Sequence, residues 1–245
     1  PKTQYRKRTE LAHELVELLS SCLPPEHTLH VEGDSEYSCR TLLRELPSQV
    51  AYTGPVSMDA ALYAEPKALK GRGRPRRKGK RLPSPQILAR RKSVKWQKLT
   101  LTIYGREVKI LVKSQMCLWY TVAGTTRILM VLTRDPSGRI NDRAYFSTDD
   151  TLSVADLLTQ FARRWEIEVA FRNAKQAMGL QDPQNGWWHR KPGTPRPKKR
   201  PGPNPRGSRG QKAVNHTLAL PFAAYALVVV WYINNGKHVG DINRV

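Results

Sequence analysis

The chain is 245 residues long, 39% hydrophobic, and carries a formal net charge of +22. Its length allows one large or two small domains with a real core. Its three scattered cysteines, Cys22, Cys39 and Cys117, exclude a disulfide-framed secreted scaffold and fit a reducing compartment. The charge is concentrated: residues 66–98 carry 14 Lys/Arg and residues 189–212 carry nine, with no Asp or Glu in either, so the rest is close to neutral. Such segments neutralise phosphates and release counterions, which favours nucleic acid as partner over a solvated linker or an anionic membrane.

Leu11, Leu15, Leu18, Leu19 and Cys22 recur at helical spacing, and Pro24-Pro25 ends that helix. His27–Gly33 predicts a short strand running into Gly33-Asp34-Ser35, and Ser38–Leu46 a second helix stopped by Pro47. The result is an α–β–α unit with an acid at the C-terminal end of its strand, where open α/β sheets collect ligands. Tyr52–Ala64 reads as extended and broken, and Gly71–Arg81 as a low-complexity basic run that does not pack. From Lys98 the period becomes two. Leu99–Tyr104 and Val108–Val112 flank a hairpin turn at Gly105-Arg106, Met116–Val122 and Arg127–Thr133 follow as strands, Asp135–Gly138 is a turn, and Ala144–Ser147 is a short strand. Ser153 and Asp156 open a long helix in capping-box fashion, and Gly179 stops it. A basic Pro/Gly tract at 190–210 reads as a linker. Thr217–Ile233, 17 largely apolar residues containing Pro221, reads as a buried core helix rather than a membrane span.

Within the long helix, Phe161, Arg164, Glu168 and Lys175 are separated by 3, 4 and 7 residues, which places them along one stripe. A carboxylate at a half-buried position there needs a neutralising cation. Arg164 offers one, although Arg before Glu is the weaker order for a helix pair. A carboxylate between two cations on one face also suits a site handling metal ions and phosphate.

The segment FARRWEIEVAFRNAKQAMGL, residues 161–180, resembles the acidic helix of bacterial insertion-sequence transposases of the DDE class. That helix carries an aromatic residue (usually Tyr), Arg, Glu and Lys at these spacings; Phe161 replaces the Tyr and loses only its hydroxyl. LHVEGDSEYS, residues 29–38, resembles the strand and turn bearing the family's second catalytic Asp, matched by Asp34. The resemblance implies an α/β, RNase H-like catalytic domain interrupted by a β-rich insertion. On this chain it would comprise an RNase H-like part at 1–50, the insertion at 51–147, the acidic helix at 148–182, the basic linker at 183–212, and a C-terminal apolar helix and tail at 213–245. It implies DNA transposition through two Mg²⁺ or Mn²⁺ ions held by two Asp and one Glu, with Asp34 and Glu168 as catalytic metal ligands. It makes Arg164, Arg172 and Lys175 contacts to DNA, and it implies a homodimer in a synaptic complex, located in the cytoplasm at the nucleoid, with no membrane partner. The family's first catalytic Asp lies on an earlier strand, whereas the first Asp in this chain is Asp34. With Pro1 at its start, the chain is expected to be an N-terminally truncated fragment without strand-transfer activity of its own. A DNA-binding remnant without chemistry, or another RNase H-like nuclease, are the rival readings.

Arg72-Gly73-Arg74-Pro75 resembles an AT-hook core, which lies in an A·T minor groove; a generic phosphate-binding loop is the other reading of Arg72 and Arg74. Trp96 and Trp119 fall in the β-rich stretch and serve either the core or base stacking, as some relatives stack a flipped base on an insertion-domain aromatic.

Overall fold

The structure, a computed structural model, describes residues 5–67, 74–178, 193 and 207–236. The chain divides into two compact units, Pro1–Arg164 and Trp165–Val245.

The first unit is built on a six-stranded mixed sheet. In chain order it contains α1 (Arg8–Ser21), β1 (Leu29–Glu32), α2 (Arg40–Leu43), β2 (Val50–Val56), α3 (Pro85–Arg90), β3 (Gln97–Ile103), β4 (Arg106–Leu118), α4 (Tyr120–Ala123), β5 (Arg127–Arg134), β6 (Arg143–Ser147) and α5 (Val154–Arg163). The sheet order is β1-β2-β6-β5-β4-β3. Only β1 and β2 run parallel, with Leu29 opposite Val50 and Glu32 opposite Thr53; β6 pairs antiparallel with β2 and joins the later strands to them. Hydrogen bonding is therefore continuous across position 50, where the sequence reading divided the α/β part from the insertion.

Central β5 reads RILMVLTR, a run whose side chains alternate between two cores. Ile128, Met130 and Leu132 join Tyr52, Phe146 and Trp119 in the larger core. Leu129 and Val131 join Leu101, Val112, Leu157 and Leu158 in the second core, under α5. Local chemistry fixes several connections as expected. The β3–β4 hairpin forms, but its turn is Tyr104-Gly105, both at positive φ, one residue before the expected Gly105-Arg106, since Arg106 already pairs with Ile103. Asp135 accepts the Ser137 N–H and hydroxyl at 2.9 and 2.6 Å and closes the 135–138 turn. Ser153 caps α5 by accepting the Asp156 N–H at 3.1 Å.

Other expectations are corrected. The strands expected over Val108–Val112 and Met116–Val122 are a single strand, β4, which ends at Leu118, where Trp119 turns into the core ahead of the one-turn α4. Tyr52–Ala64 is not simply broken: its first part completes β2, Val50–Val56, as an interior strand. The second helix is shorter than Ser38–Leu46, with α2 spanning Arg40–Leu43. On α1 the leucine stripe does not face the core. Val16 and Ser20 are buried instead, and Leu11, Leu15, Leu18 and Leu19 stay exposed. The Gln49 amide fixes this roll by donating to the Ser20 hydroxyl at 2.8 Å and to the Ser20 carbonyl. Helix α3 is absent from the sequence expectations, although Ser84 followed by Pro85 is a start signal and Ser84 accepts the Ile87 N–H.

The basic run is also corrected in part. Ala64 donates to the Lys80 carbonyl and Gly79 to the Ala64 carbonyl, both at 2.8 Å, and Leu82 donates to Leu62 at 2.8 Å. The Lys78 ammonium lies 4.0 Å from the Tyr63 ring centroid and 4.9 Å from that of Tyr120. Residues 78–82 are therefore fastened to the sheet, since main-chain pairing does not depend on the side chains being charged.

The second unit contains α6 (Glu166–Ala177) and α7 (Gly207–Asn235). Phe171 on α6 packs edge-on against Phe222 on α7, with ring centroids 5.2 Å apart. Asn215–Asn235 is long and apolar enough to cross a membrane by length and composition. The expectation of a buried core helix does not hold within this unit: Leu220, Leu227, Trp231 and Ile233 are all exposed. Apolar residues surround this helix on all sides, while α6 packs only a part of it.

Lys113, buried within β4, holds α3 to the sheet. Its ammonium donates to the carbonyls of Leu88 and Arg91 at 2.9 Å and of Ala89 at 3.4 Å, and lies over the Trp96 ring at 4.6 Å. Burial, reinforced by Arg134, pulls its pKa below the usual lysine value, while Asp142 opposes this. Lys113→Met keeps the aliphatic stem but removes the charged donor, leaving the Arg91 carbonyl without it while Leu88 keeps the Arg91 N–H and Ala89 keeps Arg134, and it is expected to destabilise the protein by roughly 1.5–3 kcal/mol in urea unfolding. Unchanged stability would show that the ammonium does not hold α3.

Candidate functional site at the end of the first two strands

The β1–β2 pairing ends at Glu32 opposite Thr53, with β2 running on to Val56, and the chain leaves β1 through Gly33 into Asp34. The Gly33 N–H donates to the Thr53 carbonyl at 3.0 Å, extending the parallel pairing by one residue. Asp34 is exposed, and its Oδ1 accepts the Glu36 N–H at 2.9 Å in an Asx turn. The sequence expectation of an acid at a strand end is met in position.

What holds that turn is Tyr52, which is fully buried. Its hydroxyl shares a 3.3 Å hydrogen bond with Ser38 Oγ and donates to the Asp34 carbonyl at 3.4 Å. Ser38 in turn donates its N–H to the same carbonyl at 3.2 Å, and its hydroxyl, 3.3 Å from both this oxygen and the Tyr52 hydroxyl, donates to one of them. The Tyr52 ring occupies a slot between two glycines. A Cβ on Gly33 would lie 2.9 Å from ring atom Cε2, and one on Gly54 would lie 2.7 Å from Cε1 and from Ser38 Oγ. Thr148 closes the far side: its hydroxyl accepts the Tyr52 N–H at 2.8 Å and its N–H donates to the Tyr52 carbonyl at 2.9 Å. Burial raises the Tyr52 pKa well above its usual value. The Ser38 hydrogen bond and Arg164 pull it down, whereas Asp34 and Cys39 push it up. Asp34 and Arg164 thus both act on this phenol.

Sequence reasoning missed Tyr52, Ser38 and Glu32. Glu32 is half-buried at the end of β1, and its pKa is raised above 4.5 by desolvation, against the opposing charges of His30 and Arg163. The signal available was an acid two residues before Asp34 on a short strand, together with the Gly33 and Gly54 pair around one tyrosine.

The expected stripe is divided. Hydrogen bonding of α5 runs out at Arg164, whose N–H bonds the Phe161 carbonyl at 3.3 Å, and α6 begins at Glu166 with Trp165 as its N-cap. Neither glycine nor proline marks this break. Phe161 and Arg164 belong to the first unit, where the Phe161 ring packs against Tyr145 with centroids 4.7 Å apart. Glu168, Arg172 and Lys175 belong to the second. There Glu168 is exposed in the first turn of α6, not half-buried, and Lys175 is in the last turn, an arrangement that complements the helix dipole. Glu168, Phe171, Arg172, Lys175 and Gln176 line a cleft of about 460 Å³. Glu168 and Arg172 are four residues apart in the favourable acid-first order.

Trp119 is a core residue, with its ring edge-on to Phe146 at 5.4 Å, so it presents no open face to a base. Trp96 is packed by two cations, with the Arg134 guanidinium 4.2 Å from its ring centroid and the Lys113 ammonium at 4.6 Å. Arg74 lines a separate cleft with Arg127. Arg72 lies outside the described residues. Asp34 and Glu168 supply the oxygen donors that hard divalent metals prefer. Among the described residues no group of three or more His, Cys, Asp or Glu is gathered in one place.

Gly33→Ala is expected to destabilise the protein by about 1–3 kcal/mol through overpacking against Tyr52, and a wild-type urea midpoint would show that the slot is loose. Glu32→Gln tests the raised carboxyl. A native pKa above the unfolded one means that the folded state binds more protons, so the stability linked to this group is full in acid and is lost as pH rises through the native pKa. The variant is expected to unfold at a higher temperature than wild type at neutral pH, with the gain vanishing in acid below 4.5. An equal gain at both pH values would refute the assignment. Among known proteins, residues 115–194, about a third of the chain, are similar to a DDE transposase family described as "Archaeal putative transposase ISC1217". Comparison with curated proteins and with solved structures gave no match. The family match covers Arg164, Glu168, Arg172 and Lys175 and supports a DDE-type transposase and a role in transposition.

Proposed function

We propose that this chain is the part of a DDE transposase that carries the second Asp and the Glu of a metal-dependent DNA cleavage and strand-transfer site. The observation that carries the reading is Asp34 at the end of a parallel strand pair, held in a turn by a buried tyrosine, in a chain whose Glu168-bearing stretch is similar to transposases. The parallel β1–β2 pair is compatible with an RNase H-like fold, in which β3–β6 would be the β-rich insertion that prolongs the sheet. In the complete assembly, Asp34 and Glu168 would hold Mg²⁺ or Mn²⁺. Two such ions supply activation of the attacking oxygen and stabilisation of the leaving oxygen at phosphorus. Arg164, Arg172 and Lys175 would position DNA phosphates, and a homodimer would bring two transposon ends together.

The third carboxylate is the gap. Residues 1–33 contain no Asp, and the described residues gather no metal-binding trio. The two acid-free cationic tracts, 66–98 and 189–212, favour a second reading, a DNA-binding chain without chemistry of its own. Both are separated by one experiment. The purified 245-residue chain with Mg²⁺ is expected to bind DNA but not cleave it. In the catalytically complete transposase, Asp34→Asn and Glu168→Gln are each expected to lower cleavage of the element's ends by at least about a hundredfold, on the order of the loss of one essential catalytic group. Near-wild-type cleavage in either variant would end the metal-ligand assignment.

A further inference from the structure

The fastened part of the basic run creates a cleft that lies apart from Asp34 and Glu168. Arg74, Arg76, Arg77 and Arg127 line a hollow of about 450 Å³ in the first unit, with Glu65 as its one acid. Pro66, Pro75 and Leu118 give it apolar walls. Four arginines around one hollow repel one another, so something must hold them in place. The arm that bears three of them is pinned next to the hollow by the Lys78 ammonium on Tyr63 and Tyr120 and by the Gly79 and Lys80 main-chain bonds to Ala64. Gly79 is required there, since a Cβ would lie 2.8 Å from the Ala64 carbonyl oxygen and closer still to that of Glu65. Arg127, at the start of β5, has its Nε held by Glu65 at 3.4 Å and by Asp150 at 3.2 Å.

We propose that Arg74, Arg76, Arg77 and Arg127 form a pre-arranged clamp for the phosphodiester backbone of DNA. The planar guanidinium matches phosphate with two parallel hydrogen bonds, which a lysine cannot reproduce. The apolar walls suit deoxyribose rather than a free hydrated ion. A clamp of this kind sets the register of the duplex on the protein and does not read sequence. It differs from a flexible cationic tail because its ordering cost is met in folding, before DNA arrives. The inference rests on the reading that the chain works on DNA. Binding is its readout, whereas cleavage tests the transposase reading, so either can fail alone.

The test uses the full chain and a labelled duplex of mixed sequence, with affinity measured by fluorescence anisotropy over a range of salt. Arg76→Ala, Arg77→Ala and Arg127→Ala combined are expected to weaken binding at least about tenfold at low salt. They should also reduce the slope of log affinity against log salt by about 2.7, at about 0.9 for each phosphate no longer neutralised. Gly79→Ala keeps every charge and is expected to weaken binding several-fold, because the arm can no longer dock. Should Gly79→Ala fail to fold by thermal unfolding, Arg127→Lys takes its place, with the same several-fold loss expected. Native affinity in the charge-preserving variant that folds would overturn the clamp and leave only bulk charge. An unchanged salt slope in the triple variant would overturn it too, as would poly-glutamate competing as well as duplex at equal charge.

Discussion

The buried phenol of Tyr52 is the contact on which the first unit's candidate site depends. A tyrosine of zero exposure loses its water, so its hydroxyl needs partners, and the nearest are Ser38 and the carbonyl of Asp34. Those bonds fix the backbone of the turn that presents the Asp34 carboxylate. The ring fits only because Gly33 and Gly54 offer no side chain on either side. One demand for hydrogen bonds and one demand for space thus join β1, β2 and α2 into a single rigid corner. Thr148, following β6, ties that corner to the rest of the sheet.

Positive charge has two different structural roles in this chain. Lys113, which is buried, and Arg134, which is partly exposed, are cations that serve the fold. Lys113 satisfies carbonyls at the end of α3, and Arg134 makes a two-pronged bond to Asp142 at 2.8 and 2.6 Å, both against the Trp96 ring. Arg74, Arg76 and Arg77 are exposed, and their placement follows from the anchoring of Lys78 and Gly79. Composition counts all of these charges alike. Burial separates them, because a desolvated cation is tolerated only where carbonyls or carboxylates surround it.

Legibility in the sequence follows the range of the forces involved. The 135–138 turn, the β3–β4 hairpin and the Ser153 cap depend on residues within a few positions of each other, and all are readable, the hairpin turn to within one residue. The strand-end position of Asp34 is readable for the same reason. The roll of α1 is not, because Gln49, 29 residues from Ser20, decides which face is buried. The division of the Phe161–Lys175 stripe is not, because periodicity alone continues the helix through Arg164 and Trp165 and no breaker residue interrupts it. The docking of residues 78–82 escapes because main-chain pairing has no compositional mark.

By itself the sequence determined the chemistry on offer: an acid after a short strand, an acid and two bases on a helical period, and two acid-free cationic tracts. Residue identity and short spacing are enough for that, since helix, turn and cap propensities act locally. Only the tertiary structure decided which groups share an environment. It placed Tyr52 beneath Asp34, put Trp119 in the core, assigned Arg164 and Glu168 to different units, and gathered four arginines around one cleft. Those outcomes come from burial and long-range hydrogen bonding, whose partners lie tens of residues apart along the chain.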